Sequence, residues 1–111
     1  MPTFLPLSVE PEAEEELAEA VDWYEAREPG LGAALFAEVD AAVFGLRRRE
    51  LPGVTVPHVR AELPVRRVLL ARFPYAVVFL DASDELHVLA VAHHRRRPGY
   101  WRDRLRRRRR R

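Results

Sequence analysis

Apolar positions along this chain recur first at helical spacing and then at strand spacing, and the change of period divides it. Phe4 to Val9 reads as a short first strand, with Pro6 favouring a sheet edge or a bend. Pro11 suits the first position of a helix, where its missing N–H would have had no partner anyway. Glu12, Glu14 and Glu15 then fall in the first turn, where the helix dipole favours negative charge. Ala13, Leu17, Ala20, Val21 and Tyr24 mark one apolar face of this helix, and its other face is acidic. Pro29-Gly30 should end it, because proline disfavours the α conformation of its predecessor and glycine permits a turn. A second helix is expected from Leu31 to about Arg49, with Leu31, Leu35, Val39, Val43 and Leu46 near one stripe. So short a connection makes the two helices an antiparallel hairpin.

Leu51 to Leu63 lies among prolines and reads as a loop with at most a short extended piece. Three strand signals follow, at Arg66 to Phe73, Tyr75 to Leu80 and Leu86 to Ala92. Asp81 to Glu85 supplies the turn between the last two. Runs apolar on both faces should be central strands covered by the helices. Pro98-Gly99 is expected to end the fold proper. The order β-α-α-β-β-β describes an α+β domain, a helical hairpin packed on a mostly antiparallel sheet. One domain over residues 1–103 accounts for the length, with no internal repeat and a low-complexity arginine tail over 104–111 expected to be disordered.

Composition narrows the class. With 48% hydrophobic and 32% charged residues the chain is globular in type, and no apolar run approaches the ~20 residues that span a bilayer. Met1 to Val9 lacks a basic leader, and the absence of cysteine removes disulfides and thiolate chemistry, so a cytoplasmic protein is expected. The net charge of +2 conceals an asymmetry: residues 1–40 hold eleven acids and one base, residues 41–111 six acids and eighteen bases. Such a basic half suits a polyanionic partner or an acidic protein. All nineteen basic residues are arginine, a pattern of GC-rich coding, so their positions carry more information than their type.

The stretch Val88-Leu-Ala-Val-Ala-His-His-Arg-Arg-Arg-Pro-Gly-Tyr-Trp101 ends a strand in histidines, arginines and Pro-Gly-Tyr-Trp. Upstream stand Arg72-Phe73-Pro74-Tyr75, and before them Val21-Asp-Trp-Tyr-Glu25 with Pro29-Gly-Leu-Gly32. In this order, over roughly residues 8–104, the chain resembles the RelE/ParE superfamily of toxins from type II toxin–antitoxin (plasmid stabilisation) systems. The resemblance implies a growth-inhibiting toxin neutralised by a cognate antitoxin. Some members cleave mRNA on the ribosome and others poison DNA gyrase.

Metal-free RNA cleavage needs a base, an acid and cations around the phosphate, with no cofactor. Under the resemblance, His94, Arg96 and Tyr100 are the catalytic candidates. Arg60, Arg67, Arg72, His93 and Arg95 are candidates for nucleic-acid or target binding. No metal site is expected, since the basic half has no clustered carboxylates. Arg66 and Arg67 point to opposite faces of a strand, so at most one serves a given site. Structural roles compete for several of these residues: His93 as a scaffold hydrogen-bonder, and Tyr100 and Trp101 as anchors of the C-terminal segment. mRNA-cleaving relatives tend to carry an arginine after the tyrosine matching Tyr75, where this chain has Ala76. Their loop lysines find counterparts only in His58 and Arg60. The resemblance implies ribosome-dependent, metal-independent mRNA cleavage as the first expectation, with non-enzymatic gyrase poisoning nearly level with it and a degenerate, non-toxic antitoxin- or nucleic-acid-binding module as a further alternative. Because His94 and Arg96 lie beyond the core strands, the double substitution His94→Ala, Arg96→Ala is expected to abolish toxicity on expression while leaving the circular dichroism and melting curve unchanged; a folded, still toxic double variant would remove these residues from the site.

Overall fold

The computed structural model describes residues 4–56, 64–81 and 84–109, with side chains to Leu105. Strand β1 (Leu7–Val9) leads into helix α1 (Pro11–Arg27) and helix α2 (Leu31–Arg47), then strands β2 (Val54–Thr55), β3 (Val65–Leu69), β4 (Tyr75–Asp81) and β5 (Leu86–His93), and helix α3 (Arg102–Arg109). The strands form one sheet in the order β1-β5-β4-β3-β2, with β1 parallel to β5 and every other pair antiparallel. The expected α+β architecture with a helical hairpin on a mostly antiparallel sheet is thus present.

Local chemistry explains the hairpin. Pro11 opens α1 without a side-chain cap, and α1 closes with the Glu28 N–H on the Tyr24 carbonyl. Gly30 takes φ 91°, a left-handed conformation that glycine adopts without strain, and begins α2. Glu25 clamps the turn by accepting from the Gly30 and Gly32 amides at 2.8 and 2.9 Å. Gly32 also permits the close approach of the helices, since a Cβ there would stand 2.5 Å from the Val21 carbonyl oxygen.

The hairpin covers one sheet face, where Leu35, Val39, Leu46, Phe73, Val77, Phe79, Leu86 and Val88 form the larger core. A bulge opposite Val78 and Phe79 breaks the alternation of β5, placing both Leu89 and Ala90 on the opposite face. There they join Val56, Val65, Val78, Trp101 and Leu105 in a second core. The central strands are therefore covered by the helical hairpin on one side and by the C-terminal segment on the other.

This revises the end of the chain. In place of a fold closed at Pro98-Gly99 and a disordered tail from residue 104, α3 runs through Arg109. Trp101 (3% exposed) and Leu105 (7%) are spaced one turn apart and bury themselves together on the sheet. Smaller differences follow pairing. β1 begins only at Leu7, and β3 ends at Leu69 because residues 70–74 turn into β4, held by Glu38 accepting from the Ala71 and Arg72 amides (2.6 and 3.0 Å).

β1 reaches only Leu86 to Val88 of β5, leaving the rest of that edge without a strand neighbour among the described residues. Side chains cover it. The Val91 amide donates to Glu16 of α1 at 3.0 Å, and the Leu89 carbonyl accepts from Arg104 of α3 at 2.9 Å. Glu16 and Arg104 then pair with each other through two contacts of 3.0 Å, with their side chains 14% and 11% exposed. Removing one partner of a buried pair strands the other charge, at a cost of about 3–5 kcal/mol. Glu16→Ala should therefore lower unfolding free energy by about that amount in denaturant titrations, whereas adding Arg104→Met to Glu16→Ala should cost less than the sum of the two single changes. Additive losses would show that the two side chains act independently.

Candidate functional site

The site candidates gather where β5 ends. Tyr75 pairs with His93 and Ala76 with Ala92, and the His94 amide is fixed to the Pro74 carbonyl at 2.9 Å. Two successive turns then fold the chain back. The Arg96 amide donates to the His93 carbonyl and the Tyr100 amide to the Arg97 carbonyl, at 3.0 and 3.2 Å. Gly99 supplies a positive φ of 79° in the second turn, and Trp101 enters the sheet face behind it.

Tyr100 borders two concavities. One, of about 360 Å³, lies between α1 and the end of the sheet; Glu16, Glu19, Trp23, Tyr24, Tyr75, His93 and Arg96 line it with Tyr100. The other, about 90 Å³, lies on the opposite sheet face over Ala76, Val78 and Ala92, rimmed by Arg67, His94, Arg96, Arg97 and Trp101.

Of the expected catalytic group, Tyr100 is the most constrained. Its hydroxyl donates to Glu16 Oε2 at 2.7 Å, on the same carboxylate that holds Arg104. Burial, then the hydrogen bond and negative charge of Glu16, hold the phenol well above the usual tyrosine range. At neutral pH its proton stays in place and points into the scaffold. Arg96 lies over the Tyr100 ring at 3.9 Å and is otherwise exposed, and His94 is exposed beside it.

The binding candidates separate. His93 borders both concavities, with its ring edge-on to Tyr75 at 5.0 Å. Burial, with help from Arg95 and His94, lowers its pKa. Its Nδ1 accepts from the Arg95 amide at 3.0 Å, so the neutral ring carries its proton on Nε2. Arg95 is exposed. Arg67 lies in the smaller cleft, while Arg66 turns to the other face and meets Asp81 at 3.2 Å. Arg72 is not drawn into either concavity; it sits at the β3–β4 turn, 3.7 Å from Glu38. Arg60 and His58 lie outside the described residues.

A family model described as the ParE toxin of the type II toxin–antitoxin system parDE matches residues 7–98. The chain belongs to the ParE toxin family. Among solved structures, it is similar to a chain of a chromosomal ParDE toxin–antitoxin system from P. aeruginosa. That similarity has a TM-score of 0.66 at 19% identity, over 83% of this chain and 98% of the other. At that identity the likeness is one of fold. No curated protein matches the chain. Among the described residues, no helix of this ParE-family chain is long and apolar enough to cross a membrane.

Several residues that shape the site do not stand out as chemistry in the sequence. Glu16 fell among the acids of α1, yet it lies on the helical stripe with Ala13, Leu17 and Ala20. A carboxylate on an apolar stripe is itself a signal that a buried cation must meet it. Arg104 was hidden in a low-complexity run. Ala92 and Arg97 acquire meaning only when Ala76 is placed across from Ala92.

The state of Tyr100 has a consequence for pH. A phenol whose pKa is raised in the fold adds stability that is fully present below the ordinary value of about 10 and is lost as pH rises above it. Wild-type protein should therefore lose stability between pH 9.5 and 11 more steeply than Tyr100→Phe, on the order of 1 kcal/mol of extra loss in melts across that window. Identical slopes for the two proteins would show that Tyr100 ionises as it does in the unfolded chain.

Proposed function

We propose that this chain is the toxin of a type II pair that arrests growth in the cytoplasm by binding DNA gyrase, without cutting RNA, and that a cognate antitoxin silences it. The observation that carries this reading is the hydrogen bond from Tyr100 to Glu16, at 2.7 Å. An acid–base group must hold its proton within reach of the substrate and have a pKa near the operating pH. The Tyr100 proton is directed into a buried ion pair, and burial and Glu16 raise its pKa further. Ala76, buried at 3% exposure, offers no donor where mRNA-cleaving relatives tend to place an arginine. What remains, exposed His94, Arg95, Arg96 and Arg97 on a rigid strand end, is suited to contact rather than catalysis. Membership of the ParE family supports the same target. One arrangement favours mRNA cleavage instead, namely that His94, Arg96 and Tyr100 do meet beside one cleft.

Controlled expression with pulse labelling separates the readings. DNA synthesis should fall before protein synthesis, and gyrase should be recovered on cleaved DNA. An early fall in protein synthesis, with purified protein cutting mRNA on ribosomes, would replace gyrase by the ribosome. Soluble, folded protein that causes no arrest would leave an inert antitoxin- or nucleic-acid-binding module.

A further inference from the structure

At the far end of β5 from the candidate site, a polar cluster takes no part in the proposed activity. Ser8 lies beside His87 in the parallel pairing of β1 with β5, and Glu10 and Glu85 stand two residues from each. That alternation puts all four on one face of the sheet edge, opposite the core that Leu86 and Val88 enter. His87 Nε2 meets Glu10 Oε2 at 2.7 Å, its Nδ1 meets the Ser8 hydroxyl, and that hydroxyl donates to Glu85 Oε1 at 3.2 Å. The His87 and Glu10 side chains are only 6% and 12% exposed. Each of these contacts needs one hydrogen. Ionised carboxylates bring none, the serine hydroxyl brings one and a neutral imidazole brings one, which leaves one contact unfilled. An imidazolium donates from both nitrogens and fills it. Other charges nearby are engaged elsewhere. β4 sets the apolar Leu80 beside His87, while its Asp81 meets Arg66 on the other face. α3 sends Arg104 to Glu16 and the Leu89 carbonyl, with Glu12 of α1 adding negative charge near that arginine.

We infer that His87 is a pH-sensitive latch on the first strand: with both ring nitrogens protonated it holds β1 to β5, and the neutral ring lets β1 loosen. The backbone alone holds β1 over three residue pairs. Once the ring is neutral, a Ser8 hydroxyl that donates to Nδ1 has no hydrogen left for Glu85, and two oxygens face each other. Glu10 then meets a neutral partner in place of a cation. The fold holds two carboxylates around the imidazolium that the unfolded chain does not, so this stability is present while both protons are bound and is lost as rising pH removes one. Loosening is confined between two anchors. Before β1, the Leu5 amide donates to the Arg47 carbonyl at 2.9 Å and Arg47 Nε donates to the Leu5 carbonyl at 2.8 Å; after it, α1 begins at Pro11. A loosened β1 uncovers the backbone of Leu86 to Val88, an edge able to pair with another strand. The latch is independent of the target of the toxin, since it rests on this strand pair alone.

The test follows the full chain, isotopically labelled, by NMR from about pH 5 to about pH 9, a span that covers the charge change of imidazoles. At the acid end, the ring nitrogen shifts of His87 should report a hydrogen on each. The amides of Glu10 and Leu86 bridge the two strands, donating to the Val88 and Pro6 carbonyls at 2.9 Å. As His87 titrates, their hydrogen-exchange protection should fall about tenfold after correction for the intrinsic pH dependence of exchange, the scale of one lost hydrogen bond to a charged group. Amides within α2, such as those of Leu35 and Val39, should keep their protection, which separates local loosening from unfolding. Glu85→Gln is the discriminating variant. Its side-chain amide can donate to Ser8, so a neutral His87 no longer leaves a contact unfilled, and most of the pH dependence at Glu10 and Leu86 should disappear. Glu85 is half-buried at the start of the strand and outside both cores, so this variant retains the fold. A ring that keeps one protonation state throughout, protection that stays level while His87 titrates, or an equal fall in Glu85→Gln and wild type would each overturn the inference.

Discussion

Glu16 is the residue on which the two halves of this molecule depend. It projects from the acidic first helix onto the exposed edge of β5, where its carboxylate receives the Val91 amide, the Tyr100 hydroxyl and the Arg104 guanidinium. An uncovered strand edge is a template for unwanted pairing, and β1 is too short to cover all of this one. The carboxylate and its arginine partner do so with side chains. The same contacts hold the C-terminal segment against the sheet, so that Trp101 and Leu105 can bury the second face. A buried ion pair gives little net stability against an apolar replacement, but here it also satisfies backbone groups that an apolar pair would leave unmet.

A second polar cluster performs the same kind of task at the other end of β5. His87, 5% exposed, lies between Glu10 at 2.7 Å on Nε2 and the Ser8 hydroxyl on Nδ1, and Ser8 also reaches Glu85 at 3.2 Å. These contacts fasten β1 to β5 where only three residues pair. The bulge at Leu89 lies between the two clusters and divides β5 into a part held by β1 and a part held by Glu16 and Arg104. A strand that must pack on both faces thus has its register fixed from its edge.

Most of the fold was legible because its signals are local. Helix limits followed from Pro11 and Pro29-Gly30, and strand limits from turns and β-branched runs. The domain's end was not, because Arg104 takes its meaning from Glu16, 88 residues away in sequence, and Trp101 and Leu105 take theirs from strand residues such as Val65 and Val78. Arginines in a row carry no periodicity, and one leucine among them gives little hint of a helix face. The site shows the same division. The sequence placed His93, His94, Arg95, Arg96 and Tyr100 together because they are contiguous with one strand end, and it separated Arg66 from Arg67 by strand alternation. It could not show that Arg72 stands apart from the rest, since that depends on Glu38 of the second helix holding the turn.

The position of Tyr100 links architecture to activity. A tyrosine that donates its proton to a buried carboxylate gains a fixed position and loses the freedom to exchange that proton with a substrate. To restore an acid–base role, the chain would have to release Tyr100 from Glu16, which would also leave that carboxylate with one fewer donor beside the buried Arg104. Stability of the C-terminal segment and catalysis by Tyr100 therefore compete for the same atom. The fold satisfies the first, and the exposed histidine and arginines around it stay available for binding. That division suits the proposed action by contact, and it needs no change in the strands that carry it.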